Sequence, residues 1–512
     1  MMDLPARQRG VALLILLALI SVTIIYAVVA GLNRSAATLA QERAQKTTTA
    51  LAQAKEALIA YAVTYKDTHD DPGNNKYYVP GYLPCPDLGL AEGQAAGNCP
   101  QSGPTSLVSV MGGLPWKSLG LDALKDGSGE CLWYAVSGTY KNDPNGNTVS
   151  GSTTTSNMMN WDTNGQFDIR DADGVSFLTG STDDTNAVAV IFAPGAALKP
   201  AGASTVQDRT PAAGTPACGG NYTAANYLEG FDANKNNVID PSEFDNSRPL
   251  NTGVNQQDTF VAGAASDTFN DKLVYITRAD IWKAIKKRSD FNNYLRAMTR
   301  LAAECTAMYG TQNNSGSDER LPWASNVSLS GTTVPIYAVN ARYNDVSSGM
   351  SGRLSFRVDT SRGSTSNNIP NNITDYGTNG AYLFTNGSYC AYTPDQKIWY
   401  DNWKDQLFYA VASSFRPSAS WQWWYPFACP TCLTINSSGT YAAVVIFAGD
   451  KLTNAAGQVT QPRNAASDKS TIGNYLDGSI NPASITANTG GGNYQAVAAS
   501  STFNDIVYAI DS

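Results

Sequence analysis

"ARQRGVALLILLALISVTIIYAVVAGL", residues 6–32, sets two arginines and a glycine directly against an apolar run from Val11 to Leu32. A cleavable secretory signal has a basic start, an apolar core of roughly 7–15 residues and a small-x-small cleavage site. Arg7 and Arg9 supply the start and Val28-Val29-Ala30 could pass as the site. The run is too long for such a core. As a helix it spans roughly 30 Å, the thickness of a bilayer interior, and the arginines would hold its N-terminal end in the cytoplasm. The sequence therefore predicts a retained single-pass inner-membrane helix over 11–32, with the rest of the chain in the periplasm.

The next segment extends that helix. From Asn33 to Tyr65 there is no Pro or Gly, and Ala, Leu, Gln, Glu and Lys prevail, so residues 33–66 read as its amphipathic continuation. Leu51, Ala54, Leu58 and Ala62 recur at helical spacing and offer a stripe for packing.

A short charged leader ending in Gly, then an apolar helix that continues into an amphipathic half, resembles type IV pilins and type II secretion pseudopilins. The resemblance implies that a prepilin peptidase removes residues 1–10 by cutting after Gly10 and methylates Val11. It also implies that the helix passes from membrane anchor to filament core, packing against other pilins or pseudopilins. Most members of that family carry Glu at the fifth mature position, where this chain has Ile15. An unpaired carboxylate in an apolar helix is costly, and in the family it pairs with the neighbouring N-terminus. Lacking it, the chain resembles the minor pseudopilins that cap a filament tip. "GYLPCPD", "LKDGSGECLWYAVSG" and "TFNDKLVYITRADIW" also resemble large pseudopilin-like proteins. The bland alternative is an ordinary single-pass anchor.

Beyond the helix the chain is duplicated. "LWYAVS" (132–137), "VIFA" (190–193), "NYLEG" (226–230) and "TFNDKLVYIT" (268–277) return in the same order as "LFYAVA" (407–412), "VIFA" (445–448), "NYLDG" (474–478) and "TFNDIVYAID" (502–511). Each copy opens with a helical pattern followed by Leu-Pro, at Leu83-Pro84 and Leu321-Pro322. The landmarks are short, β-branched or aromatic, and bounded by turn residues, so they read as strands. The expected fold class is α+β: the long helix, then two diverged pilin-like heads, 67–282 and 283–512, each a helix packed on a small antiparallel sheet. The second would carry a Ser/Asn-rich insertion over 324–400, and "TRADIWKAIKKRSDFNNYLRAMTRLAAECTAMYG" would be the joining helix, capped by Thr277 or Asp280.

Charged residues are only 15 % of the chain and the net charge is -8, which excludes the concentrated basic face of a nucleic-acid binder. The eight cysteines, Cys85, Cys99, Cys131, Cys218, Cys305, Cys390, Cys429 and Cys432, read as disulfides in an exported chain. Zinc is the weaker reading, because His69 is the one histidine and stands far from any cysteine pair. Cys85–Cys99 is the shortest plausible loop, with Cys131–Cys218 and Cys305–Cys390 remaining, although eight cysteines leave the connectivity open. "CPTC" (429–432) invites a redox reading, but its flanks lack a helix start, so a loop-closing disulfide is expected.

"DANKNNVIDPSE", 232–243, matches an EF-hand-type loop: Asp232, Asn234, Asn236, Asp240 and Glu243 at positions 1, 3, 5, 9 and 12, with the Val238 carbonyl at 7. Asn237 replaces the usual Gly at 6 and tolerates the left-handed conformation needed there. Asn226 and Thr268 are 42 positions apart but Asn474 and Thr502 only 28, a difference of 14 that marks the loop as an insertion in copy one. A structural Ca2+ is the expected cofactor; an Asn/Asp-rich surface turn is the bland alternative. "DTNGQFDIRDADG" (162–174) is a weaker acidic cluster, read as a turn.

Trp421, Trp423, Trp424 and Tyr425 either fill the second head's core or form a ligand surface. His69 lies in "KDTHDDPG", read as a turn, and no G-x-S-x-G, P-loop or His-rich set accompanies it. The sequence thus predicts no enzyme. It predicts a minor pseudopilin or pilin-like subunit, at a filament tip, serving filament initiation or secretion. The alternative is an anchored or pilus-tip adhesin using the aromatic segment, with a secreted substrate or a surface glycan as further partner.

Overall fold

The computed structural model describes residues 6–511 apart from 75, 98, 100–106, 142–157, 212–213, 216, 252–255, 313–320, 330–335, 340–341, 347, 357–392, 418–428, 430 and 455–457, with the backbone alone for 6–36 and 311–312. Helix α1 (Ala6–His69) leads into the first head: β1 (Val110–Gly113), β2 (Trp133–Val136), β3 (Phe167–Arg170), β4 (Phe177–Thr179), β5 (Ala187–Ala193), β6 (Gly230–Phe231), β7 (Phe244–Asp245), β8 (Asp258–Val261) and β9 (Lys272–Thr277). Helices α2 (Arg278–Ile285) and α3 (Phe291–Gln312) come next. The second head then holds β10 (Ser351–Arg353), α4 (Pro394–Trp403), β11 (Leu407–Val411), β12 (Leu433–Ile435), β13 (Ser438–Phe447), α5 (Ala466–Lys469), α6 (Ile480–Ala487), β14 (Gly492–Tyr494) and β15 (Ile506–Asp511).

Two expectations are corrected here. Neither head is a pilin-like helix on a small antiparallel sheet. The first sheet has seven strands, ordered β1-β2-β5-β3-β4 with β8 on β3 and β9 on β5; the second has six, ordered β10-β11-β13-β12-β14 with β15 on β13. Both are mixed, through the parallel pairs β3·β8 and β12·β14. The added strands are runs of three or four residues, too short to declare a period. Second, among the described residues no helix is long and apolar enough to cross a membrane. The bilayer-spanning reading of 11–32 and the single-pass inner-membrane placement are corrected to that extent; the side chains of 11–32 lie outside the described residues. Where its side chains are described, the buried residues of α1 form one stripe, and Gln41, Glu42, Arg43, Gln45 and Lys46 occupy exposed positions.

That stripe builds the core. Leu51, Ala54, Leu58, Ala62 and Tyr65 are buried on α1, and Leu295, Met298, Ala302, Thr306 and Tyr309 are buried on α3 at the same spacing. Each burial of a Leu-sized side chain contributes about 2 kcal/mol. Sheet register repeats as well. Tyr134 pairs with Ile191 and Ile191 with Val274; Tyr409 pairs with Val445 and Val445 with Tyr508. The counterpart of Ile191 is therefore Val445, one residue before the position that matching the two "VIFA" strings suggests. Because side chains alternate between faces, register follows burial and not lettering.

One hydrophobic cluster runs through both heads, from Leu58 and Tyr134 to Trp403 and Tyr409. At the seam Trp161 meets Trp403 edge-on, ring centres 4.4 Å apart. Asn160 donates to the Asn402 carbonyl at 2.7 Å, and Asn402 accepts from the Met159 N–H at 2.7 Å. The expected joining helix is two helices, α2 and α3, separated at 286–290. Thr277 caps α2 and accepts from the Asp280 N–H, while Asp280 reaches back to the Thr277 N–H. Both expected capping residues are used, as a capping box. Within the expected insertion, 351–353 forms the edge strand β10 and Pro394–Trp403 forms α4, capped by Thr393.

Candidate functional site

Three places hold the residues singled out from the sequence. The first is α1. Gly10 and Val11 lie within it, among residues given by backbone alone. Side chains 37–46 are exposed, Leu39 by 54 %. Contact with the head begins with the Arg43 backbone and Thr47, whose hydroxyl accepts the Gly127 N–H at 3.0 Å. Here the loop comes so close that a Cβ on Gly127 would lie 2.2 Å from the Arg43 carbonyl oxygen. Higher up, Lys55 donates to the Tyr275 carbonyl and to Asp280. Lys66 bridges Asp70 at 2.7 Å and Asp395 of the second head. Burial opposes the charge on Lys66, but these two carboxylates raise its pKa above the ordinary lysine value. His69 closes the last helical turn rather than a loop. It is stacked on Tyr65 at 4.0 Å, and its pKa is lowered by burial.

The second place is the turn at 232–243, framed by the two-stranded ribbon β6·β7. Asp232 accepts the N–H groups of Asn236 and Asn237, Asn234 accepts that of Asn236, and Asn236 accepts that of Val238. Glu243 folds back onto the N–H groups of Ala233, Asn234 and Asp240. Asn237 has φ 64°, the left-handed conformation that position 6 requires. The three carboxylates Asp232, Asp240 and Glu243 do not converge, however. Among the described residues no three of His, Cys, Asp or Glu are grouped so as to hold a metal ion. Asp240 instead takes the side-chain amides of Asn234 and Asn236, at 2.8 and 3.1 Å. The acidic segment 162–174 divides: Asp162 is buried at the seam, 3.5 Å from Arg463, while Asp173 closes an exposed turn onto Val175 and Ser176.

The third place is the cysteines. Disulfides join Cys85 to Cys99, Cys131 to Cys218 and Cys429 to Cys432. Cys305 is also disulfide-bonded, and Cys390 lies outside the described residues. Trp421, Trp423, Trp424 and Tyr425 lie outside them too.

A fourth constellation escaped the sequence reading. In the first head Arg209 donates to the carbonyls of Asn226, Gly195 and Tyr227 and to Gln207, and Gln207 donates to Glu229. In the second, Arg463 donates to the carbonyls of Asn474, Gly449 and Tyr475 and to Gln461, and Gln461 donates to Asp477. Each carboxylate then meets the last strand's "FND" motif reciprocally. Glu229 N–H donates to Asp271 at 3.0 Å and Asn270 N–H to Glu229 at 3.0 Å; Asp477 N–H donates to Asp505 at 3.0 Å and Asn504 N–H to Asp477 at 2.6 Å. Asn246 and Asn481 donate to the same aspartates. Burial, then the neighbouring carboxylate, pushes Asp271 well above the usual carboxylate range and Asp505 up to about 7. The shared Gln-x-Arg spacing, "QDR" and "QPR", beside the acidic residues of the repeated "NYLEG"/"NYLDG" and "TFND" strings, is the signal that could have nominated this clasp beforehand.

A cavity of about 360 Å³ lies in the second head between α3 and β15, lined among others by Ala303, Ala307, Phe415, Tyr508 and Ile510. Compared with family models, with curated proteins and with solved structures, the chain matches none.

Proposed function

We propose that the chain is a pilin-like assembly subunit of a filament, in which α1 is the element that joins other subunits and the paired heads form a terminal body. The observation that carries this reading is the division of α1. From Thr47 onward its buried stripe is consumed by the heads, whereas the side chains of 37–46 are exposed. At 1.5 Å per residue, the 36 residues from Val11 to Lys46 give roughly 54 Å of helix before Thr47. A rod of that length, set in a double head with one continuous core, suits association along its sides. The bulk of the double head suits an end position over a repeating one.

Intact-mass and N-terminal analysis of the protein from its native cells tests the processing step. The expected product begins at Val11 and carries one N-methyl group. A product retaining residues 1–10, or beginning beyond α1, sinks the reading. A photo-crosslinker at Leu39 should join the chain to other helix-bearing subunits, and recovery of the uncrosslinked chain alone would count against it.

We also propose calcium for the turn at 232–243, where Asp232, Asn234, Asn236, Asp240, Glu243 and the Val238 carbonyl would hold it. The left-handed Asn237 and the Glu243 contacts support this. An ion there would replace a hydrophobic core for the loop. Chelation should lower the melting temperature, and Asp232→Ala should abolish the response. A chelator-insensitive melt would refute it.

A further inference from the structure

The clasp is present twice, with one unsatisfied oxygen in each copy. Asp271 is 3 % exposed and Asp505 6 %, yet the Oδ1 of each accepts no hydrogen bond, while Oδ2 is fully used. The Glu229 and Asp271 side chains lie within hydrogen-bond reach of one another. Two carboxylates cannot make such a contact without a proton between them. A buried ionised oxygen with no partner is also among the costliest groups a fold can carry. Protonation removes both difficulties in the first head, where Asp271 becomes a donor toward Glu229, and in the second it takes the charge off the buried Asp505 oxygen.

We infer that Asp271 and Asp505 stand protonated in the folded heads, so that a proton fastens the last strand of each head and the fastening tightens in acid. The strands concerned, β9 and β15, begin at the very next residue and pair along the full length of β5 and much of β13. In the first head the titratable and charged neighbours are Glu229 and Arg209, with Glu130 behind the guanidinium at 3.4 Å. In the second they are Asp477 and Arg463, with Asp162 behind at 3.5 Å. Each arginine is committed to backbone carbonyls and the Gln side chain, so it leaves Oδ1 of the aspartate unpaired. The second head has no counterpart of the acidic turn, so the device does not depend on that turn.

The sign comes from the raised folded-state pKa values. The contribution is fully present below about pH 4, the unfolded aspartate value. It is lost as pH rises through about 7 for Asp505. The test is the melting temperature of the full chain from about pH 4.5 to 8.5. The unmodified chain should lose several degrees as pH rises. Asp505→Asn, which keeps the shape and cannot ionise, should raise the melting temperature at the alkaline end and flatten the slope, and adding Asp271→Asn should flatten it further. Slopes unchanged by both substitutions, or an equal loss at every pH, would overturn the inference. Amide exchange in the unmodified chain needs no variant. Corrected for intrinsic rates, protection of 506–511 should fall with rising pH relative to that of 407–411. Parallel protection in the two strands would overturn it equally.

Discussion

Asp184 of the first head lies 2.7 Å from the Nζ of Lys451 in the second. The same carboxylate holds Arg278 and the Asn464 amide, so one side chain ties the tail of the first unit to the body of the second. Burial alone would raise its pKa, but Lys451 and Arg278 bring it down to about 2.

A depressed carboxylate stabilises above its unfolded value near pH 4 and loses that contribution as pH falls through its folded value of about 2. Asp184→Asn should therefore cost on the order of 1–2 kcal/mol at neutral pH, allowing for partial solvent screening. Denaturant titration at pH 7 and at pH 2.5 should show the loss at the first and little difference at the second. With the clasp acting in the opposite sense, the heads should be most stable near pH 4–5.

Arg463 is fully buried and spans three carbonyls and Gln461. Arg463→Ala would strand those acceptors together with Asp162 and should cost roughly 3–5 kcal/mol. Arg463→Lys keeps the charge but not the planar fork, so it should recover less than half of the loss. Full recovery by Lys would show that charge alone matters, contrary to the geometry.

Gly352 in β10 sits against the Ser325 carbonyl, which a Cβ would approach to 2.0 Å, and its counterpart Gly112 in β1 sits against the Asp87 carbonyl at 2.5 Å. Backbone on both sides cannot give way cheaply. Gly352→Ala should destabilise by about 1–3 kcal/mol, with Gly112→Ala milder, as read from paired chemical melts.

Cys131 and Cys218 are 87 residues apart, whereas Cys429 and Cys432 are 3 apart. Loop-closure entropy makes the first bridge the larger contributor, by roughly 2–5 kcal/mol. Replacing Cys131 and Cys218 by Ser should lower the melting temperature far more than replacing Cys429 and Cys432; similar losses would contradict this.

The helical stripe at Leu51, Ala54, Leu58 and Ala62, and the repeat landmarks around Tyr134 and Tyr409, are legible in sequence because each is a run with a period. The rest is not, for physical reasons. Glu229 and Asp271 sit in repeated landmarks, but nothing in the sequence brings them to Gln207 and Arg209, which they meet only through tertiary folding. Ile191 and Val445 align by the face they bury, which a shared string misplaces by one residue. Strands such as β3 and β12 owe their existence to a neighbouring edge, not to their own composition.

Because the buried face of α1 lies lengthwise in a core continuous with both heads, a pull on its free end loads Leu51, Leu58 and Tyr65 side by side in shear. Such contacts yield together instead of unzipping in turn. Traction along the helix would therefore be shared at once by the buried core that joins the two heads.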